Sequence, residues 1–350
     1  MRDRIHAPAS LRGRRRRSFA GVVGGLIIAL LAASAAPAGS QERRYTVAFA
    51  NLTEEPGLTL EGTGFTGREV RGSVVLAARQ LPIDLVFYDN QRDQAKALAN
   101  AMDAIARKVD LYIQYHHDPV GNALVADRLK AARIPVLAIN YAVPDAPLYT
   151  ADNLAAGRIA GEALGQFALR SWRGLPTVGV IVGAVTAQDD RAPERVQGVT
   201  EGLRRHLPGV RLITLDTQGN PARVAALLGR TLSAQPSAKI LVAALDDATA
   251  LAAKSALESA GRLSDAAIVS HGVDRSVHGG INDRKEIDPS NRGGVVIGSV
   301  AFYLDRYGYD ILPLALRMLR GEAVPPRTVT RHVLITPANV FIEYPPYDMN

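Results

Sequence analysis

Polar and aromatic side chains recur at one kind of position in this sequence, directly after a predicted strand. Planar amide and carboxylate groups exchange paired hydrogen bonds with adjacent hydroxyls, and aromatic faces cover the apolar C–H face of a sugar ring. Ligands also collect at the carboxyl ends of parallel strands. These residues are therefore candidates for noncovalent binding of a small polar ligand: Asn51, Glu54, Tyr115, His116, Asp118, Asn140, Tyr141, Asp246 and Asp274.

Enzymatic chemistry has little support in the sequence. There is no Gly-x-Ser-x-Gly, no His-Glu-x-x-His and no strand that runs straight into a glycine-rich phosphate loop. Cysteine is absent, which excludes thiolate metal sites and cysteine nucleophiles. His116 and His117 are adjacent, and neighbouring strand residues point to opposite faces, so they do not form a metal pair. We expect a protein that is not an enzyme and that has no metal and no cofactor.

Short apolar runs alternate with helical patterns from Tyr45 onward. Strands separated by helices indicate parallel sheets with helices on both faces. Four such units before residue 150 and four after it predict two α/β lobes, since one core rarely grows beyond about 250–300 residues. The predicted strands are 45–51, 83–90, 109–115, 134–140, 177–183, 210–216, 238–244 and 266–271, and the predicted helices are 68–81, 91–107, 119–132, 152–171, 191–206, 220–234 and 247–260.

The stretch "YTADNLAAGRIAGEAL" lies where the first set of units ends and the second begins. Asp152 or Asn153 is suited to cap the next helix. Gly157, Gly161 and Gly165 then share one helical face. Each glycine costs about 1 kcal/mol relative to alanine, so the pattern favours close packing of this helix against a neighbouring element.

The positive charge is concentrated at the N-terminus. The chain has a formal net charge of +7. Residues 1–38 hold seven Arg and one Asp, a net of +6, which leaves 7 − 6 = +1 for residues 39–350. No basic face for nucleic acid is therefore expected. The order "RGRRRR", apolar run and "APAG" predicts an export signal cleaved after Ala38. Arg16-Arg17-Ser18-Phe19 resembles a twin-arginine signal, which leaves the export route open, and an uncleaved N-terminal anchor is the alternative.

Several segments, in order along the chain, resemble the sugar-type (type I) periplasmic binding proteins of ABC transporters, which are related to ribose-binding protein. They are "FYDNQRDQAKAL", "ARIPVLAIN", "YTADNLAAGRIAGEAL", "RVQGVTEGL", "AALDDATALAAKSALESAGR", "VSHGVD" and "GSVAFYLDRYGYDILPLAL". The resemblance implies two Rossmann-like parallel-sheet lobes joined by a three-segment hinge, with the ligand in a cleft between them. It places 45–151 plus 300–331 in an N-terminal lobe and 152–299 plus 332–350 in a C-terminal lobe.

The same resemblance adds Arg195 and Ser299 to the candidate ligand residues and supports Asp274. Arg195 has a surface ion pair as its alternative, and Asp274 has a turn role in "HGVDRS". For the pair Asp246 and Asp247, we expect Asp247 to cap the helix and Asp246 to contact the ligand. The first loop, "NLTEEPGLTLEGTGF", departs from the family because it is longer and acidic.

The function implied is capture of a small polar ligand, with a monosaccharide favoured, and its delivery to an ABC permease by a monomer in the periplasm. A sensor subunit that presents its ligand to a receptor kinase or chemoreceptor is the alternative. A ligand of another type, such as a nucleoside, also stays open.

Overall fold

A computed structural model describes residues 43–186 and 191–345. The strands are β1 (Tyr45–Asn51), β2 (Ile83–Asp89), β3 (Leu111–Gln114), β4 (Val136–Ile139), β5 (Leu148–Thr150), β6 (Thr177–Gly183), β7 (Arg211–Asp216), β8 (Lys239–Ala244), β9 (Ala266–Gly272), β10 (Val296–Ala301), β11 (Arg327–Val329) and β12 (Leu334–Ile335). The helices are α1 (Gly67–Ala78), α2 (Gln94–Ala106), α3 (Pro119–Ala131), α4 (Asn153–Ser171), α5 (Arg191–His206), α6 (Val224–Ala234), α7 (Asp247–Ser259), α8 (Tyr307–Leu319) and α9 (Val340–Glu343).

The strands form two sheets, one in each lobe. The first sheet has the order β11-β5-β4-β3-β1-β2 and is parallel throughout. The second has the order β12-β10-β9-β8-β6-β7, and its only antiparallel pair among the described residues is β10 with β12. Val47–Ala50 of β1 are fully buried, which is typical of a parallel strand covered on both faces.

The chain crosses between the two lobes three times. The first crossing lies between β5 and α4, the second between β10 and α8, and the third between β11 and β12. Helix α8 packs on α1 of the first lobe. The doubly wound fold and its three-segment hinge are thus as the sequence predicted. The exact lobe boundaries stay a prediction, although β10 continues in the second sheet to Ala301, past the boundary expected after residue 299.

The predicted elements agree with the structure within three residues at almost every end. The exception is α6, which starts at Val224 because Pro221–Arg223 form a 3₁₀ turn. The short strands β5, β11 and β12 carry too few residues for a periodic signal and were not predicted. The export signal at 1–38 lies outside the described residues. Within the described residues, every helix is too short or too polar to span a bilayer.

The glycine face of α4 packs directly on α5, as the sequence predicted. A Cβ added to Gly157 would lie 2.1 Å from the carbonyl oxygen of Arg195, and one added to Gly161 would lie 2.3 Å from that of Val199. From α5, Gly198 and Gly202 approach the backbone of α4 equally closely. The two helices therefore touch through their backbones, which fixes the position of Arg195 on α5.

We expect Gly161→Ala to lower the free energy of unfolding by about 1–3 kcal/mol, because the added methyl group overpacks a backbone contact. Gly229→Ala is the matched control, since a Cβ at Gly229 in α6 meets no atom within 4 Å. That control should raise stability by about 0.5–1 kcal/mol. Urea unfolding of both variants measures this, and an equal effect at the two sites would contradict the packing argument.

Candidate functional site

The loop between β1 and α1 extends from the first lobe to the second. Its tip is a tight turn in which Glu61 and Gly62 both have positive φ, 57° and 60°. The backbone N–H of Leu60 donates to the carbonyl of Phe65 at 2.7 Å and closes this turn. We call residues Glu61–Gly64 the loop tip. It lies against residues that follow the strands of the second lobe.

Arg195 on α5 joins the loop tip to the second lobe. Its Nη2 donates to the carbonyl of Glu61 at 3.0 Å and its Nη1 to that of Gly62 at 3.1 Å. On its own lobe, Nη1 donates to the Leu245 carbonyl at 2.7 Å, and Nε and Nη2 donate to Asn153 Oδ1 at 3.1 and 2.7 Å. These five contacts match the five N–H donors of a guanidinium, and Arg195 is only 4 % exposed. The alternative of a surface ion pair at Arg195 is therefore wrong, and the predicted ligand contact stays a prediction.

Glu61 also connects the loop tip to the first lobe. The Tyr115 hydroxyl donates to Glu61 Oε1 at 2.5 Å, and Asn140 Nδ2 donates to the Tyr115 hydroxyl at 3.2 Å. Asn140 Oδ1 accepts from the backbone N–H of Ala151, at the first hinge crossing. Tyr115 and Asn140, both predicted site residues, thus lie in one hydrogen-bonded chain that runs from the hinge to the loop tip.

Asp274 meets the loop tip at Gly64. A Cβ added at Gly64 would lie 1.4 Å from Asp274 Oδ2, so only glycine fits there. Asp274 Oδ1 accepts from the backbone N–H of Ser276 at 2.6 Å, which is the turn role that the sequence left open. Arg195 and Asp274 therefore both contact the loop tip.

Residues 62–67 read Gly-Thr-Gly-Phe-Thr-Gly directly before α1, which is the spacing of a dinucleotide loop. In that motif a strand leads straight into the glycines, but here β1 ends at Asn51. The loop tip also directs two carbonyls to Arg195 and packs Gly64 on the Asp274 carboxylate. These oxygens would repel an anionic phosphate, so the Gly-x-Gly-x-x-Gly residues do not form a nucleotide site.

The prediction that Asp247 caps α7 is wrong, because Asp246 is the capping residue. The side chain of Asp246 accepts from the backbone N–H of Thr249 at 2.7 Å, so Asp246 caps α7. Asp247 is fully buried instead. Its Oδ1 accepts from the hydroxyls of Ser270 and Ser299 and its Oδ2 from the backbone N–H of Asp274. Ser299, predicted as a ligand contact, is likewise fully buried in this network.

Four other predicted residues have structural contacts within the first lobe. Asn51 Nδ2 donates to the Gly67 carbonyl at 2.8 Å, Glu54 forms an ion pair with Arg71 at 2.7 Å, and Asp118 caps α3. His116 is fully buried beside Gly121, and neither ring nitrogen has a hydrogen-bond partner among the described residues. Burial, and then the neighbouring His117, lower the pKa of His116 to about 4. A ligand contact by any of the four stays a prediction.

Aromatic rings cluster in the first lobe, just after the carboxyl ends of β3 and β4. The ring of Tyr141 lies 6.2 Å from that of Tyr115 and 6.3 Å from that of His117. Of the two adjacent histidines, His117 is thus the one that joins this aromatic group. Tyr141, a predicted site residue, is half-buried, so its ring can contact a ligand.

The three hinge segments meet at His332, which sequence reasoning missed. His332 Nε2 accepts from the backbone N–H of Asp152 at 3.0 Å, and its Nδ1 lies 2.9 Å from the carbonyl of Ala301. Its ring packs on Phe302 at 4.7 Å, and Arg195 lies 4.5 Å above the same Phe302 ring. Burial lowers the pKa of His332 and favours the neutral ring that these hydrogen bonds need. No sequence motif marks this residue, because its partners lie in distant segments.

Two carboxyl groups near Arg195 have shifted pKa values. Burial raises the pKa of Asp246 and of Asp247, and Asp274 raises the pKa of Asp247 further. A raised pKa favours the protonated, uncharged carboxyl, so these two groups add little negative charge beside Arg195. In residues 43–186 and 191–345, no three His, Cys, Asp or Glu side chains are grouped so that they could hold a metal.

A family model described as a periplasmic binding protein domain matches residues 58–323. The ribose import binding protein RbsB of Salmonella typhimurium is 27% identical over 252 residues, which cover 71% of this chain and 78% of that protein.

Two solved structures share the fold at low sequence identity. One is an ABC transporter periplasmic solute binding protein from Actinobacillus succinogenes with bound D-allose, with a TM-score of 0.64, 15% identity, and coverage of 85% of this chain and 99% of that chain. The other is the fructose binding periplasmic domain of a hybrid two component system, with a TM-score of 0.60, 17% identity, and coverage of 86% and 93%.

We expect Gly64→Ala to move the loop tip away from the second lobe, because the new methyl group would overlap the Asp274 carboxylate. Small-angle X-ray scattering should then show a larger radius of gyration than for the unsubstituted protein, with unchanged far-ultraviolet circular dichroism. Adding Asp274→Gly removes the overlapping atoms and should restore the smaller radius. An unchanged radius in Gly64→Ala would show that the loop tip does not hold the lobes together.

Proposed function

The chain belongs to the periplasmic binding protein family, and on that basis we propose that it captures a small polar ligand between its lobes and delivers it to an ABC permease. A monosaccharide is the favoured ligand. The observation that carries this proposal is Arg195, a buried cation at the carboxyl ends of the strands with Asp274 near it. The export signal predicted at 1–38 agrees with a periplasmic location, and we further propose that the mature protein acts as a monomer.

We propose that the ligand and the loop tip compete for the same N–H donors of Arg195. All five Arg195 donors are engaged by protein oxygens in the described conformation. A hydroxyl-rich ligand can replace the two loop carbonyls at Arg195 and donate to Asp274. The rings of Tyr141 and His117 offer the apolar surface that a sugar ring needs. The Asp274 carboxylate at the loop tip supports a neutral ligand over a sugar acid.

A thermal-shift screen of pentoses, hexoses, deoxysugars, polyols and nucleosides should give a narrow set of hits. A ligand that binds only the native state adds about 2.7 kcal/mol at a hundredfold excess over Kd, which raises the Tm. A neutral hexose and its uronic acid form the matched pair, and only the neutral member should bind. A response to nucleosides alone would contradict the sugar proposal, and turnover of a hit would contradict the binding role.

For the ligand found in that screen, Arg195→Ala or Asp274→Ala should weaken binding by about 10- to 150-fold, since hydrogen bonds to charged groups contribute about 1.5–3 kcal/mol. Arg195→Ala should also lower the free energy of unfolding by about 1–3 kcal/mol, because it leaves the buried Asn153 side chain without its partner. Isothermal titration calorimetry well below the Tm separates the two effects. Lys130→Ala, which removes an exposed ion pair with Asp145, is the control. Binding by both cleft variants within about threefold of the unsubstituted protein would remove Arg195 and Asp274 from the proposed ligand site.

A sensor role is the second candidate. It is supported by the structural similarity to the fructose binding domain of a two component system, in which the same fold serves signalling. Neighbouring genes distinguish the two roles. A permease and an ATPase encoded beside this chain would support transport, whereas a histidine kinase encoded without them would support sensing.

A further inference from the structure

The backbone is strained directly before Asp274. In the turn that follows β9, Gly272 has a φ of 129° and Val273 a φ of 63°. A positive φ is rare for a β-branched residue, and it persists only where surrounding contacts hold it. Val273 is also fully buried. The direction of the Asp274 carboxylate, which meets the loop tip at Gly64, therefore depends on the contacts that hold this turn.

Two side chains from outside the turn accept hydrogen bonds from its backbone. The N–H of Val273 donates to Ser299 Oγ at 3.2 Å, and the N–H of Asp274 donates to Asp247 Oδ2 at 2.8 Å. Ser299 lies on β10, and Asp247 lies in the first turn of α7. Both acceptors are fully buried. Because a buried amide that lost its acceptor would be strongly disfavoured, these two bonds favour the strained conformation of the turn.

Asp247 connects the two acceptors. The hydroxyls of Ser299 and Ser270 donate to its Oδ1 at 2.7 and 2.5 Å. Ser270 lies on β9, so two neighbouring strands fix this carboxyl group while its other oxygen binds the amide of Asp274. A Cβ added at Gly272 would lie only 2.7 Å from Asp247 Oδ2. The turn thus packs directly on Asp247.

We propose that Asp247 is a positioning residue for the cleft, which together with Ser299 holds the strained turn so that the Asp274 carboxylate faces the space between the lobes. This role rests on the proposed function, in which Asp274 binds the ligand, because Asp247 is itself fully buried and acts only through Asp274. It is separate from the capping of α7, which belongs to Asp246. Replacement of Asp247 therefore changes ligand affinity although every proposed contact residue is still present.

Asp247→Ala removes both oxygens and should weaken binding of the ligand found in the thermal-shift screen at least tenfold. Asp247→Asn is the rescue variant. Its amide oxygen can accept from the N–H of Asp274, and the serine hydroxyls can turn to accept from its amide group, since a hydroxyl both donates and accepts. Isothermal titration calorimetry should place this variant within about threefold of the unsubstituted protein.

The control for a general loss of stability is Asp265→Ala. It removes hydrogen bonds from Lys239 and Arg262 in the same lobe, at the opposite ends of β8 and β9 from the cleft. Its ligand affinity should equal that of the unsubstituted protein.

A double-mutant cycle separates positioning from an independent effect on binding. Because Asp247 acts through Asp274, adding Asp247→Ala to Asp274→Ala should weaken binding by no more than about threefold beyond Asp274→Ala alone. Two losses that multiply, or Asp247→Asn binding as weakly as Asp247→Ala, would overturn the proposal.

Amide hydrogen exchange, followed by nuclear magnetic resonance on the ¹⁵N-labelled protein, tests the same role without a ligand. Measured against the amides of β8, exchange at Asp274 should be at least tenfold faster in Asp247→Ala and unchanged in Asp247→Asn. If Asp247→Ala fails to fold, Ser299→Ala decides, since it removes the acceptor of the Val273 amide and should speed exchange there. Unchanged exchange would overturn the positioning role whether or not a ligand binds. The expected exchange without any ligand from the screen would instead overturn the proposed function alone.

Discussion

The hydrogen bonding of one buried guanidinium holds the two lobes together. Arg195 is 4 % exposed, and each of its five N–H donors has an oxygen partner, two of them carbonyls of the opposite lobe. A buried guanidinium with unpaired donors would be strongly destabilising. In the described structure the loop tip supplies two of these partners, and a ligand that displaced the loop tip, as proposed, would have to offer equivalent oxygens. The need to pair the Arg195 donors therefore couples lobe closure to the oxygen atoms that lie between the lobes.

The rest of the fold fixes Arg195 in place. Glycines on α4 and α5 bring the two helix backbones into contact, and the carbonyl of Arg195 itself lies where a Cβ on Gly157 would be. Behind the guanidinium, Phe302 of the second hinge segment packs on His332 of the third, and His332 accepts from Asp152 of the first. The hinge and Arg195 are thus neighbours, so a change at Arg195 acts directly on the segments that join the lobes.

The sequence predicted the architecture well because the fold is built from repeated units. The strands and helices of each lobe have long periodic patterns, and the glycines of α4 predicted a close contact that the structure contains. The site was harder to predict. Asp246 and Asp247 are adjacent and chemically identical, and only the packing around Ser270 and Ser299 determines which one is buried. The role of His332 depends on three segments that are far apart in sequence, so no local pattern could reveal it.

The first loop, which is longer and more acidic than the family resemblance implies, reaches the second lobe. Its positive-φ turn at Glu61 and Gly62 directs two consecutive carbonyls toward one guanidinium. Glu61, a non-glycine residue in this region of φ, carries a conformational cost of about 1 kcal/mol or more. The bond from Tyr115, within the first lobe, offsets part of that cost, and the bond from Arg195 across the lobes offsets more of it in the described conformation. If a ligand binds Arg195 as proposed, the loop competes with it, and affinity then depends on the difference between two sets of hydrogen bonds to the same arginine.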